Sequence, residues 1–248
     1  YKGKVTVRLL SSEGKILSSE TLDIIHGGEW NDVKKTLTAV GHDSKGRLAL
    51  EFDSPGTVWV DYVSLFPENT FNNRPNGLRR DVAEMLVGLK PAFFRWPGGC
   101  VVEGITLDNR FEWKKTLGDP AARPGEYSTW GYRCSYGFGY YEMLQFCEDI
   151  GAKAMFVCNV GLGCQFRMGD ACGEHDIDFY IDDCLDAIEY ALGDESTEWG
   201  ARRAADGHPA PFPLQYVEIG NENWGAEYDR RFDIFYKTIK EKYPQLTL

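Results

Sequence analysis

From Leu78 to Tyr243 the chain alternates between two hydrophobic periods, and this alternation limits its possible folds more than any other feature. Leu78, Val82, Met85, Leu86 and Leu89 recur at helical spacing, with Asn76 as the expected cap and Pro91 beyond the end. Residues 92–96 then read as a short strand. Tyr140, Met143, Leu144, Cys147 and Ile150 mark a second helix, stopped by Gly151, and residues 153–160 form a continuous apolar run of the buried-strand type. Ile177, Ile181, Cys184, Leu185, Ile188 and Leu192 give a clean stripe with Asp176 or Asp178 near its N-cap and Gly193 after its end. A strand over 215–219 and a helix marked by Phe232, Phe235, Tyr236, Ile239 and Tyr243 complete the pattern. Strand and helix in regular alternation predict a parallel sheet with helical crossovers. A doubly wound sheet and a (β/α)8 barrel both fit. Gly161-Leu162-Gly163 and Gly137-Phe138-Gly139 lack a third glycine in register, so no dinucleotide site is expected.

Residues 1–66 follow a different grammar. Strands are predicted over 5–10, 46–52 and 57–66, separated by the turn clusters 11–15 and 53–56. Short strands between turns point to part of a β-sandwich, jelly-roll-like, or a barrel. The segment 67–75, with two prolines and three asparagines, reads as the link. The expected organisation is therefore a β-sandwich portion at 1–66 and an α/β portion at 67–248. The chain opens on Tyr1-Lys2-Gly3-Lys4-Val5 without an initiator methionine, and residues 244–248 read as the start of another strand. The expectation is an internal piece of a longer protein.

A formal charge of −11 argues against nucleic acid or an anionic membrane surface, both of which need a basic footprint. No stretch approaches the roughly 20 apolar residues of a membrane span. The seven cysteines are too sparse for a disulfide scaffold, and reduced, buried thiols are the expectation. Cys158, Cys164, Cys172 and His175 match no metal-finger spacing, so neither a metal nor a cofactor is expected. His26, His42 and His208 are scattered and carry no motif. Asp61 reads as a solvent-facing acid.

Chemistry concentrates after the strands. Gly220-Asn221-Glu222-Asn223-Trp224 follows an apolar run. The plain reading is an exposed loop acid. The alternative is a sugar site: Asn221 offers both a donor and an acceptor to a hydroxyl, and Trp224 offers a face for stacking on a sugar ring. A carboxyl held among aromatics and a second carboxylate can stay protonated and donate to a leaving oxygen, as glycosidases require. Pro97-Gly98-Gly99-Cys100 after residues 92–96 reads either as a tight turn or as a close backbone approach to a ligand, with Cys100 as a small sugar contact and Arg95 holding carboxylates in place. Asn159 ends the next strand and is the remaining substrate-contact candidate. The aromatic loop 113–130 reads as a substrate rim in preference to a packed loop.

The segments 63–71 and 74–79, then Phe94-Arg95-Trp96-Pro97-Gly98-Gly99-Cys100-Val101-Val102-Glu103-Gly104, Trp130-Gly131-Tyr132, Cys147-Glu148-Asp149-Ile150-Gly151 and Gly220-Asn221-Glu222-Asn223-Trp224-Gly225 resemble the α-L-arabinofuranosidases of glycoside hydrolase family 51. The resemblance runs from about residue 60 to the end. It implies a (β/α)8 barrel, preceded here by part of a carbohydrate-binding-module-like sandwich. It also implies retaining hydrolysis that releases terminal arabinofuranosyl groups from arabinose-containing polysaccharides or oligosaccharides. It maps the general acid/base onto Glu222, the contact to the sugar 2-hydroxyl onto Asn221 and a glycone-subsite contact onto Cys100. The nucleophile it implies is a glutamate on a later strand; Glu103 is the nearest substitute within these residues and is not the expected one. A non-catalytic carbohydrate-binding fragment and a xylanase-like retaining enzyme are the alternatives. A homo-oligomer is possible on these grounds, and an extracellular or periplasmic location is preferred to a cytoplasmic one.

Overall fold

The computed structural model describes residues 1–24 and 27–248. His26 lies outside the described residues. The chain divides into two compact units, Tyr1–Ser64 and Leu65–Leu248.

The first unit is built on β1 (Val5–Leu10), β2 (Ile16–Leu22) and β3 (Arg47–Phe52), an antiparallel sheet in the order β2-β1-β3. Val5 and Val7 are buried, which puts the alternate residues of the central strand on one covered face. Arg8 on the other face pairs with Glu51 of β3 at 2.8 Å. Two expectations need correction. The strand expected over 57–66 does not form: Trp59, Val63 and Leu65 are exposed, and β-branched or aromatic residues make a strand only where another strand pairs with them. In its place β2 pairs with β1, and its polar centre, Ser18-Ser19-Glu20, is what hid it from the hydrophobic pattern.

The second unit contains α1 (Arg80–Gly88), β4 (Phe93–Trp96), α2 (Gly99–Glu103), the two-residue strands β5 (Glu126–Tyr127) and β6 (Arg133–Cys134), α3 (Tyr140–Ile150), β7 (Lys153–Cys158), α4 (Ile177–Leu192), α5 (Glu198–Ala205), β8 (Leu214–Ile219) and α6 (Ala226–Lys242). β4, β7 and β8 form a parallel sheet in that order, with α3 crossing between the first pair and α4 and α5 between the second. Thr247 bridges Tyr216 in parallel, one step beyond β8. The central strand β7 buries Ala154, Phe156, Val157 and Cys158, so both faces are covered.

The helices follow from local signals. Gly139 caps α3, its N–H donating to the Glu142 carboxylate at 2.9 Å, and Gly151 ends the helix in the left-handed region. The stripe of α4 buries Ile177, Ile181, Cys184, Leu185 and Ile188 as its spacing predicts. Thr197, accepting from the Gly200 N–H, caps α5, which the sequence pattern did not mark. For α1 the helical period holds, but the helix starts at Arg80, not at the Asn76 cap, and buries only Ala83. Met85 and Leu89 are 74% and 75% exposed, because no described element of this unit covers that face. The core lies around β7, where Trp96, Trp113, Tyr140, Phe156 and Tyr190 make edge, tilted and stacked ring contacts. Among the described residues no helix is long and apolar enough to cross a membrane.

Candidate active site

Parallel strands deliver their C-terminal ends to one edge of the sheet, and the polar residues singled out in the sequence gather there. Arg95 on β4 reaches across to β8. Its Nη2 donates to Glu218 Oε1 at 2.6 Å and to Asn221 Oδ1 at 2.7 Å, and its Nε donates to Glu218 Oε2. This fork on one carboxylate is the bidentate geometry that a guanidinium suits. Gly98 makes it possible. Its φ is +64°, and a Cβ there would sit 2.2 Å from Arg95 Nη1, so any side chain would push the guanidinium off Glu218.

Asn221 passes the connection on. While its oxygen accepts from Arg95, its Nδ2 donates to Glu103 Oε2 at 3.3 Å. The backbone before it turns at Gly220, whose φ is +75° and whose missing side chain leaves room for Asn223 Oδ1 and Tyr228. The turn puts Glu222 at the mouth of the site, exposed to solvent, with Oε2 3.7 Å from Cys100 Sγ. Cys100 itself is buried at the start of α2, and desolvation pushes its thiol up to about 12. It is therefore a neutral contact here and not a nucleophile. Glu103, one turn on, is 1% exposed. Burial raises its pKa, opposed by the hydrogen bonds from Asn221 and Cys164, while the charge of Glu222 adds to the rise.

Asn159, expected as a sugar contact, has its amide engaged by backbone groups. Its Nδ2 donates to the carbonyls of Val102 and Leu162, and its Oδ1 accepts from the N–H groups of Gly161 and Leu162. Both ends of the amide are taken up in shaping the loop after β7 against α2. Trp224 is half exposed at the rim, packed on Phe166 with centroids 5.1 Å apart, its N–H held by Gln165 Oε1. The loop 113–130 divides. Trp113 is core, its Nε1 donating to the Asp183 carbonyl at 3.1 Å, whereas Trp130 is exposed beside Arg167. Cys158, Cys164, Cys172 and His175 do not converge: Cys158 lies against Cys184, and Cys172 accepts from Arg231. All seven cysteines are free. Sequence reasoning missed the convergence of Cys100, Glu103 and Cys164, whose ligand atoms all lie within 4.8 Å of one another. The only available signal was the pair Cys100 and Glu103, three apart in sequence.

The structure thus brings Asn221, Cys100 and Glu222 together at the ends of β4 and β8, with Trp224 on the same loop as Glu222. Comparison with known proteins bears on their chemistry. The family model described as the α-L-arabinofuranosidase 1 domain matches residues 85–248. α-L-Arabinofuranosidase 2 of Arabidopsis thaliana is 37% identical over 98% of this chain and 36% of its own length. α-L-Arabinofuranosidase A of Aspergillus niger is 40% identical over all of this chain and 41% of its own. The chain thus spans about two-fifths or less of the curated relatives it matches. An arabinose-bound α-L-arabinofuranosidase of glycoside hydrolase family 51 superposes with a TM-score of 0.82 at 30% identity, covering 98% of this chain and 40% of that one. The mixed α/β fold is accordingly part of that enzyme fold. The chain belongs to the α-L-arabinofuranosidases of glycoside hydrolase family 51.

Proposed function

We propose that the whole protein releases terminal α-L-arabinofuranosyl groups from arabinose-containing polysaccharides or oligosaccharides, with retention, and that residues 67–248 are the N-terminal portion of its (β/α)8 barrel. Residues 1–66 are, on the same reading, part of a β-sandwich of carbohydrate-binding-module type. The observation that carries the proposal is the placement of Asn221-Glu222 at the C-terminal end of β8, joined through Arg95 and Glu103 to the end of β4, in a chain of this family.

Glu222 is the general acid/base. It protonates the glycosidic oxygen as a second carboxylate attacks the anomeric carbon, then takes a proton from the water that opens the covalent intermediate. Asn221 holds the 2-hydroxyl, oriented by Arg95 and Glu103, and Cys100 is a small neutral contact in the glycone pocket. Asn159 acts as a positioning residue for the loop behind Cys100, and Trp224 stands at the rim. Retention needs the two carboxyls about 5–5.5 Å apart. Glu103 is buried and engaged by Asn221, so the attacking carboxylate is assigned to another strand of the whole protein's barrel. Self-association of the whole protein also belongs to this reading.

Activity of the whole protein on nitrophenyl α-L-arabinofuranoside and nitrophenyl β-D-xylopyranoside tests the substrate class. Arabinose release from the first, with little action on the second, is expected. Cleavage of the xyloside with the arabinofuranoside left intact would overturn it.

A further inference from the structure

Cys100, Glu103 and Cys164 form a buried cluster whose third member, Cys164, has no part in the glycosidase reading. Cys100 and Glu103 lie three apart on α2, so their side chains leave the same face of the turn. Cys164 comes from the loop after β7, its N–H resting on the Gly104 carbonyl at 3.4 Å, and the Asn159 amide stitches the same loop to Val102. All three side chains are buried, and Cys164 is fully so. The two sulfurs and a Glu103 oxygen lie within 4.8 Å of one another. A tetrahedral zinc site with Zn–S of about 2.3 Å sets its sulfurs roughly 3.8 Å apart, within reach of small rotamer shifts.

A second observation points to a ligand. Glu103 Oε2 is bonded to Asn221, while Oε1 is buried without a well-directed hydrogen bond among the described residues, its carboxylate facing the Cys164 thiol. A buried carboxylate oxygen left without a partner is costly and calls for one. Glu222, 3.7 Å from Cys100 Sγ and exposed, can swing to a fourth position. Two sulfurs with carboxylate oxygen suit a thiophilic d10 cation over magnesium or calcium, which take all-oxygen shells.

We propose that Cys100, Cys164 and Glu103 Oε1 form a binding site for a thiophilic divalent cation of the zinc class, with Glu222 as an available fourth ligand. The site shares Cys100, Glu103 and Glu222 with the proposed sugar site and adds Cys164, so the proposal is read by metal binding itself and not by glycosidase activity.

The test uses the reduced whole protein and its variants Cys164→Ala and Glu103→Gln, each checked for native circular dichroism. Zinc is titrated in competition with a chromophoric chelator, and cadmium is titrated while the ultraviolet sulfur-to-cadmium charge-transfer band is read. One zinc per chain, a cadmium band of two-thiolate intensity that roughly halves in Cys164→Ala, and affinity lower by roughly 100-fold in that variant are expected. Binding that is unchanged in Cys164→Ala, or no charge-transfer band, would overturn the site. If Cys164→Ala fails to fold, protection of Cys100 and Cys164 from alkylation by zinc in the unsubstituted chain decides: protection confined to these two thiols supports the site, and labelling unaffected by zinc refutes it.

Discussion

At Arg95 one guanidinium holds Glu218 and Asn221 together, and two magnitudes separate its structural from its functional worth. About a third of each side chain in the Arg95–Glu218 pair is exposed, so the ion pair contributes at most about 1 kcal/mol to stability. Displacing a substrate-positioning group by about 1 Å can cost roughly 100-fold in rate. Arg95→Met in the whole protein should therefore lower kcat/KM about 100-fold and leave the thermal midpoint nearly unchanged. A large drop in the midpoint with activity retained would make Arg95 a structural residue only. Arg95 as a holder of carboxylates was one of two readings the sequence offered for this stretch, and its fork on Glu218 fits it. Its partner Glu218 was not legible in the sequence, because 123 residues separate them and only the parallel pairing of the strands brings them together. Asn159 shows the reverse: its position at a strand end suggested a ligand contact, and only the four backbone bonds of its amide reveal the loop it shapes.

At the scale of elements, α6 is fastened to the loop after β7 by Arg231. Its buried guanidinium donates to the carbonyls of Val160, Gly161 and Cys172, and to Glu227 one turn earlier. Arg231→Met strips the buried Val160 carbonyl and the half-buried Cys172 carbonyl of this donor, while Gly161 keeps the Cys172 N–H, and should destabilise the chain by about 2 kcal/mol or more, read from urea unfolding with an unchanged m-value. A loss within about 0.5 kcal/mol would show that these carbonyls find water instead. The hairpin β5–β6 gives a pH signature. Burial raises the Glu126 carboxyl above its ordinary value, against the hydrogen bond from Tyr136 Oη. A carboxyl raised in the folded state leaves stability intact below the ordinary glutamate range and removes it as pH climbs through the raised value. Relative to the unsubstituted chain, Glu126→Gln should thus gain thermal stability between about pH 4 and neutrality, a trend that would be absent or inverted if Glu126 were freely solvated. The long helices α3 and α4 and the strands β4, β7 and β8 were legible because period, cap and stop agreed along each. The strand expected at 57–66 and the buried face expected for α1 failed for one physical reason. Local pattern specifies an element but not the surface that covers it.

At the scale of the molecule, α1 leaves Val82, Met85 and Leu89 exposed, and among the described residues no strand pairs with the outer edge of β4. An open sheet edge and exposed apolar surface each favour association. The isolated chain should therefore associate as its concentration rises, by static light scattering, and should release no arabinose; a stable monomer would contradict the first expectation and turnover the second. Composition and charge left a neutral substrate compatible with the chain, and the family comparisons identify the relatives as arabinofuranosidases. The acid/base role of Glu222 remains the central claim, and it makes a demand on chemistry that no other role shares: only a poor leaving group needs a proton. In the whole protein Glu222→Ala is to be compared with the unsubstituted enzyme on aryl α-L-arabinofuranosides whose leaving phenols span a range of acidity. The account predicts a loss that is large, about 100-fold or more, for the least acidic phenols and shrinks towards none for the most acidic. An equal loss across the series would contradict it.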